Sequence, residues 1–274
     1  MARRTAVATD SACDLPADLV SESGIRVVPL TVAFGDSSFL DGVELTADRF
    51  WDRVVAGEQP TTASPSPRAL VEAWTEMADG VEGIVSVHLS SALSRTVDTA
   101  RIAATEMGLP VEVVDSRSVS MGLGLVALAA ARATDTGASP GRVAEEARAA
   151  AGRLQVTAVL ETVEFLRRGG RVGKAKAALS ELLRIRPVLS LEDGEPALLA
   201  RARTRRRAID AALERTTPHA EAAAVFHARA PDADDVIRRV GEATSVEPIS
   251  GLIGSVTGSH LGPGSLGVAV LAHP

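Results

Sequence analysis

Aromatic residues are scarce in this chain, since its 274 residues include five Phe, two Trp and no Tyr. The hydrophobic fraction of 46% is therefore mostly aliphatic, which favours a globular protein with an aliphatic core. Charged residues make up 23%, so the chain lacks the low hydrophobicity and high net charge of disordered proteins. The length permits one large domain or two ordinary ones, and we expect two.

Cysteine and long apolar runs are scarce as well. Cys13 is the single cysteine, which excludes an internal disulfide and leaves a cysteine-based zinc site without its other ligands. The longest apolar stretch, from Met121 to Ala131, contains two glycines and is far shorter than the roughly twenty residues of a membrane-spanning helix. Asp10 interrupts the N-terminus before any apolar segment of a secretion signal. We expect no integral membrane segment and a cytoplasmic location.

The chain also lacks an excess of positive charge. Its 29 basic and 35 acidic residues give a net charge of −6, which argues against a surface built to bind nucleic acid. The segment from Arg167 to Arg207 differs, because its twelve basic and four acidic residues give it a local charge of +8. It lacks aromatic residues on which bases could stack. This segment predicts an anion site or a docking face for an acidic partner, or else a set of solvated helix faces.

Strands and helices alternate in the first half of the sequence. Strands are predicted at 5–10, 25–34, 83–90 and 111–115, with helices between them, and the proline-rich PTTASPSP is predicted to be a loop. This spacing is typical of an α/β domain with a mainly parallel sheet. Hydroxyl and carboxylate side chains follow three of the strands, where parallel sheets bind ligands. Each one alone is more often a turn or cap residue.

The second half of the sequence has a different pattern. A short helix is predicted to stop at Gly169 and Gly170, and Asp193-Gly194 lies at the turn of a predicted hairpin. We therefore predict an α/β fold of two domains, in which residues 1–160 form the mainly parallel α/β domain and residues 161–274 form an α+β domain.

Six motifs, in order along nearly the whole chain, resemble the DegV family: PTTASPSP, HLSSALSRT, VVDSRSVSMGLG, TVEFLRRGGRVG, RPVLSLEDGE and IGSVTGSHLGPGSLGVAV. Arg95 stands where the family usually has a glycine. The resemblance implies a long-chain fatty acid as ligand, with its acyl chain between the two domains, and no cofactor. It also implies a partner, the catalytic subunit of a fatty acid kinase, which would phosphorylate the bound carboxylate to an acyl phosphate. The protein itself would not be an enzyme.

The resemblance also implies which residues form the binding site. The carboxylate would be held by Thr61 or Thr62, by Ser90, Ser91 and Ser94, and by His260. Hydroxyl groups suit this role, because each donates a hydrogen bond to a carboxylate without adding charge. Gly258, Gly262, Gly264 and Gly267 would let the backbone approach the ligand closely. The kinase or its nucleotide would meet Arg171, Arg203 and Arg205.

A small-molecule esterase or hydrolase with a Ser-His site is the alternative. The sequence lacks GxSxG at its strand ends, and none of its five histidines stands beside an obvious acidic partner. A metal site is not expected either, because His and carboxylate residues are not clustered. The glycine-rich run near Gly122 matches neither dinucleotide nor nucleoside triphosphate motifs and is predicted to begin a helix.

Overall fold

A computed structural model describes residues 4–179, 185–216 and 218–274 of the chain. A four-stranded parallel sheet of order β2-β1-β6-β7 forms the centre of the first half. A smaller antiparallel sheet, of order β4-β3-β5, lies beside it. The strands of these two sheets are β1 (Thr5–Asp10), β2 (Arg26–Val28), β3 (Thr31–Phe34), β4 (Ser37–Leu40), β5 (Pro60–Ala63), β6 (Gly83–His88) and β7 (Val111–Asp115).

Six helices accompany these sheets. One face of the parallel sheet packs against α3 and α4, and the other packs against α5 and α6. Capping is visible in the sequence, because Thr46 and Ser66 accept hydrogen bonds from the first turns of α2 and α3. The helices are α1 (Ala17–Ser23), α2 (Ala47–Val55), α3 (Pro67–Thr75), α4 (Thr96–Ala104), α5 (Met121–Thr134) and α6 (Pro140–Arg153).

The second half is built on a six-stranded sheet of order β10-β9-β8-β13-β11-β12. All of its neighbouring pairs are antiparallel except β11 with β12. The elements are β8 (Leu154–Val159), α7 (Glu164–Arg168), α8 (Lys176–Leu179), β9 (Arg186–Glu192), β10 (Glu195–Ala202), α9 (Arg205–Leu213), β11 (Ala220–His227), α10 (Ala233–Thr244), β12 (Ile249–Leu252), α11 (Ser255–Leu261) and β13 (Leu266–Ala272).

Helix α5 connects the two sheets. It contacts β1 and β6 of the parallel sheet and β8, β11 and β13 of the second sheet, and nearly all of its residues are buried. The apolar, glycine- and alanine-rich sequence of this segment is typical of a helix that is buried on every side. The other face of the second sheet packs against α9 and α10 through a separate cluster of aliphatic residues.

The fold class predicted from the sequence is confirmed, with three local differences. The predicted strand at 25–34 is split at Pro29 and Leu30, so that β2 joins the parallel sheet and β3 the small sheet. The predicted loop PTTASPSP begins with β5, an edge strand that tolerates Pro60 at its first position. Strand β8 pairs with β9 and β13, so the change from the first sheet to the second comes before Leu154 and not after residue 160.

Candidate functional site

A largely apolar cavity is bounded by residues from both halves of the chain. Its empty space, including the open mouth, is about 880 Å³. Its apolar lining residues are Leu30, Ala63, Leu89, Leu93, Val119, Val156, Ala158, Leu166, Leu189, Leu191, Pro196, Phe226, Val256 and Leu261. Such a lining favours an aliphatic ligand.

The second sheet supplies one wall of the cavity through the alternation of its side chains. Thr157 donates a hydrogen bond from its hydroxyl to the carbonyl of Ala212 on α9, at 3.3 Å, so its side chain points away from the cavity. Val156 and Ala158, its neighbours on β8, point the opposite way. Leu189 of β9 is paired with Ala158 and faces the same side. Strand periodicity therefore gives this wall its aliphatic surface.

Thr62 and His260 meet in the cavity wall. The hydroxyl of Thr62 on β5 lies 3.1 Å from Nε2 of His260 on α11. Burial, together with the charge of Arg171, lowers the pKa of His260 to about 4, so its ring is neutral at neutral pH. Nδ1 has no hydrogen-bond partner among the described residues.

The surroundings of the ring determine its tautomer. An unpaired N–H group is rarer in proteins than an unpaired acceptor, so we assign the proton of His260 to Nε2, where it is donated to Thr62. The hydroxyl proton of Thr62 is then free to be donated to a ligand. Gly169 packs directly against Nδ1, where a Cβ atom would collide with the ring. The absence of a side chain at Gly169 therefore leaves room for the ring of His260. The backbone of Gly169 does not itself require glycine, since its φ of −69° suits any residue.

The hydroxyl groups of Ser64, Ser94 and Thr96 form a second polar cluster in addition to the pair of Thr62 and His260. Ser94 Oγ lies 3.1 Å from Ser64 Oγ and 2.9 Å from Thr96 Oγ1, and both Ser64 and Ser94 line the cavity. Mutual hydrogen bonds orient these groups before a ligand arrives. They provide a further donor to an anionic group, since each hydroxyl can both donate and accept.

Arg171 also lines the cavity, although the sequence predicts it as a docking residue. Its guanidinium donates to the carbonyl oxygens of Leu93, at 3.2 Å, and Gly169, at 2.6 Å. No carboxylate of the described chain lies within ion-pair distance of it. Its positive charge is therefore available to a ligand at the position where Ser94 and His260 meet the cavity.

Three other predicted carboxylate ligands lie elsewhere. Thr61 is exposed and alternates with Thr62 along β5, so its side chain points away from the lining. Ser90 is buried and donates to the carbonyl of Gly194 in the hairpin turn, at 2.8 Å. The exposed Ser91 donates to Asp115 Oδ2 at 2.5 Å. The structure thus brings Thr62, Ser94 and His260 together and leaves these three outside the cavity.

The two remaining docking residues differ from each other. Arg205 is half-buried and makes two hydrogen bonds to Asp232, at 2.6 and 2.7 Å, in addition to contacts with Glu161 and the carbonyl of Gly264. The N–H donors of Arg205 are therefore already occupied by acceptors in the second half of the chain. Arg203 is exposed and forms no ion pair within the described chain. Arg184, which contributes to the charge of the basic segment, lies outside the described residues.

The glycines of the last motif serve packing. His260 lies on a helix, and Gly258 in the same helix faces Phe50 and Trp51, whose ring atoms would lie 2.7 Å from an added Cβ. Gly267 makes room for the ring of Phe226 in the same way. The expectation that these two glycines let the backbone approach the ligand is therefore wrong.

A buried chain of polar groups lies in the parallel sheet. His88 Nδ1 is 3.0 Å from Asp10 Oδ2, and its Nε2 is 2.8 Å from Ser86 Oγ. The expectation that no histidine has an acidic partner is therefore wrong, and the arrangement resembles a hydrolase triad. All three residues are completely buried, however, and Ser86 accepts a hydrogen bond from Trp74. A substrate has no route to this serine.

The described part of the chain holds no group of three or more His, Cys, Asp or Glu side chains that could bind a metal ion. None of the helices assigned within it is long and apolar enough to cross a bilayer.

Comparison with known proteins gives a consistent result. The family model for uncharacterised proteins of the DegV family matches residues 4–273. A DegV domain-containing protein of Streptomyces coelicolor is 38% identical over 98% of this chain and 99% of its own length. The structure of a fatty acid-binding DegV family protein from Thermus thermophilus covers 98% of this chain and 100% of its own, at 32% identity and a TM-score of 0.87.

A second solved structure agrees with the first. DegV from Bacillus subtilis, a fatty acid-binding protein, is 28% identical, with a TM-score of 0.89 over 99% of this chain and 100% of its own. The similarity extends over all three sheets, because each comparison spans almost the whole length of both partners. On this evidence the chain belongs to the DegV family.

Proposed function

We propose that this protein binds a long-chain fatty acid, with the acyl chain in the apolar cavity and the carboxylate beside Thr62, Ser94 and Arg171. The observation that carries this proposal is the placement of two hydroxyl donors and an unpaired cation on a lining that is otherwise mainly aliphatic. The solved relatives from Thermus thermophilus and Bacillus subtilis, which bind fatty acids, support it.

The chemistry of the two ends of such a ligand matches the cavity. A buried methylene group contributes about 0.8 kcal/mol, so an acyl chain of roughly sixteen carbons gains on the order of 12 kcal/mol before association costs are subtracted. The carboxylate would accept hydrogen bonds from Thr62 and Ser94 and face the charge of Arg171. His260 acts through Thr62 as a positioning residue.

We further propose that the bound carboxylate is presented to a fatty acid kinase, which phosphorylates it to an acyl phosphate. Arg171 is exposed while it lines the cavity, so the carboxylate would lie near the surface. Arg203 is exposed and unpaired within the described chain, which suits contact with an acidic or phosphate-bearing partner. In this proposal the protein supplies binding and orientation, and the kinase supplies the phosphoryl group.

Mass spectrometry of an organic extract of the purified protein tests the binding proposal. We expect a fatty acid in near-stoichiometric amount, or stoichiometric uptake of palmitate or oleate by delipidated protein. Protein that is empty and takes up neither acid would contradict the proposal. Turnover of a chromogenic ester that Ser86→Ala abolishes would instead establish the hydrolase.

A further inference from the structure

One row of residues across the second sheet forms part of the cavity wall. Ala158 of β8 is paired with Leu189 of β9 on one side and with Gly267 of β13 on the other. Gly267 is in turn paired with Phe226 of β11. Residues directly opposite each other on neighbouring strands point to the same face of a sheet. Because Leu189, Ala158 and Phe226 line the cavity, the whole row lies on the face that bounds it.

This row has little side-chain bulk at its centre. Ala158 carries only a methyl group and Gly267 has no side chain, whereas Leu189 and Phe226 on either side of them are large. The φ of Gly267 is not positive, so the backbone conformation does not require a glycine there. The two small residues, on strands about 5 Å apart, leave a trough in the wall between Leu189 and Phe226.

The ring of Phe226 fills the part of this trough that lies over β13. Two of its carbon atoms lie 2.2 Å from the position of a Cβ atom at Gly267, so the ring stands where a side chain of β13 would stand. The space beyond Phe226 is filled as well. Gly251 of β12 is paired with Phe226, and Cε of the buried Met121 lies 2.9 Å from the position of a Cβ atom at Gly251.

Phe226 is therefore the boundary of the cavity on this side. In the described chain no residue of β12 or β13 lines the cavity, and Phe226 is the residue of β11 that does. The ring is 1% exposed and belongs to the same buried cluster as Leu30 and Val256, which also line the cavity. A ring packed in this way resists displacement, since extra methyl groups in a close-packed interior force strain on their neighbours.

We propose that Phe226 makes the cavity selective for unbranched acyl chains. This inference rests on the proposed fatty acid binding and adds the class of acyl chain that the site accepts. A linear chain passes beside the ring, whereas methyl branches need the space over Gly267 that the ring occupies. Removal of the ring should open the trough over Ala158 and Gly267 and relax this selectivity.

Competition binding with palmitate and phytanate on delipidated protein tests the proposal. Phytanate has the same main chain and carboxylate as palmitate and carries methyl branches. We expect the unmodified protein to bind palmitate at least about tenfold more tightly than phytanate, and Phe226→Ala to reduce this preference about tenfold. Phe226→Leu, which leaves a smaller gap in the core, should shift the preference in the same direction by less.

Val225→Ala is the matched control. Val225 is the adjacent residue of β11, and its side chain is buried on the opposite face of the sheet. Its truncation should lower the stability of the protein without changing the ratio of the two affinities. This ratio distinguishes a change in the shape of the cavity from a general loosening of the fold.

The outcomes separate this inference from the function on which it rests. Equal affinity of the unmodified protein for palmitate and phytanate would overturn the selectivity and leave the proposed function intact. An unchanged ratio in both Phe226 variants, or the same change of ratio in Val225→Ala, would also overturn the role of the ring. An unmodified protein that binds neither acid would contradict the proposed function itself.

Discussion

Two histidines of this molecule each lie beside a hydroxyl group, yet the two regions differ in access. His88 contacts Ser86 and Asp10 in the fully buried centre of the parallel sheet. His260 contacts Thr62 in the wall of the cavity and has no acidic partner among the described side chains. The arrangement of Asp10, His88 and Ser86, which resembles a catalytic triad, is therefore closed to substrate. The accessible pair of His260 and Thr62 lacks an acidic residue that would help His260 act as a general base.

A geometric pattern of residues therefore does not make a reactive site unless a substrate can reach it. In the sheet, the polar chain satisfies buried donors and acceptors, so its contribution is to stability. In the cavity, the same kinds of groups retain a free donor, so their contribution is to binding. Substitutions in the two regions should separate these two contributions.

Asp10→Ala should have the largest effect. The Asp10 carboxylate accepts from the amides of Ala12 and Leu89, at 3.1 and 3.0 Å, and contacts His88. Its removal leaves these buried groups unpaired and should lower the free energy of unfolding by about 3 to 5 kcal/mol in urea denaturation. Asp98→Ala, at an exposed position on α4, should cost less than about 0.5 kcal/mol. Lost fatty acid at unchanged stability would place Asp10 in the binding site instead.

Arg171→Gln should have the next largest effect, and on binding only. Loss of a charged partner should weaken palmitate binding by about 1.5 to 3 kcal/mol in a competition assay, with a nearly unchanged melting temperature. Arg203→Gln is the control, because the exposed Arg203 does not line the cavity, and it should bind palmitate normally. Equal palmitate affinity of both variants would remove Arg171 from the carboxylate site.

Arg203→Glu tests the proposed contact with the kinase. Charge reversal should reduce acyl phosphate formation with a cognate or surrogate kinase at normal palmitate content, because it replaces an attraction with a repulsion. High salt should reduce this defect, since charges at an exposed contact are screened. Full turnover by Arg203→Glu would show that this part of the basic segment is ordinary surface charge.

The Asp14 and His260 side chains should change the stability of the protein in opposite directions as the pH rises from about 4 to about 7, because the low pKa of His260 leaves the extra proton on the unfolded chain. Burial raises the pKa of the Asp14 carboxyl from 3.8 to about 7 and raises that of Asp41 as well. The folded state therefore holds protons that the unfolded chain has released, and Asp14 alone contributes a slope of at most about 1.4 kcal/mol per pH unit. Urea denaturation at several pH values should show that the free energy of unfolding of Asp14→Asn rises more, or falls less, with pH than that of the unmodified protein. The same pH dependence in both proteins would show that Asp14 does not titrate in this range.

Thr62→Val should have the smallest effect of the series. The change keeps the shape of the side chain and removes one hydroxyl donor to the charged carboxylate, which should weaken palmitate binding by about 1.5 kcal/mol. Thr61→Val, at the adjacent outward position of β5, is the matched control and should leave the affinity unchanged. A larger loss in Thr61→Val than in Thr62→Val would reverse our assignment of these two residues.

Local signals were sufficient to predict much of the fold. The alternation of strands and helices predicted the parallel sheet, and Asp193-Gly194 predicted the hairpin, because both residues adopt positive φ at its turn. The PTTASPSP segment was harder, since its prolines indicate a loop while pairing with β3 makes its start a strand. Along a strand, successive side chains point to opposite sides, so only one of Thr61 and Thr62 can face the cavity. Thr62 is that residue.

Contacts distant in sequence account for what could not be predicted. Ser90 and Gly194 are bonded across 104 residues, and His88 and Asp10 across 78. No local pattern reports such pairs, because they depend on how the two halves of the chain pack. The position of Arg171 at the cavity depends in the same way on the packing of the segment after α7 against Leu93.

The NMR titration of bound, carboxyl-labelled palmitate tests whether its carboxylate lies beside Arg171. If the carboxylate lies beside Arg171 and the hydroxyls of Thr62 and Ser94, its pKa in the complex should be at least about one unit lower than in the Arg171→Gln complex. A carboxyl group buried in apolar surroundings would instead show a raised pKa that does not depend on Arg171. Equal carboxyl pKa values in the two complexes would show that the carboxylate does not lie beside Arg171.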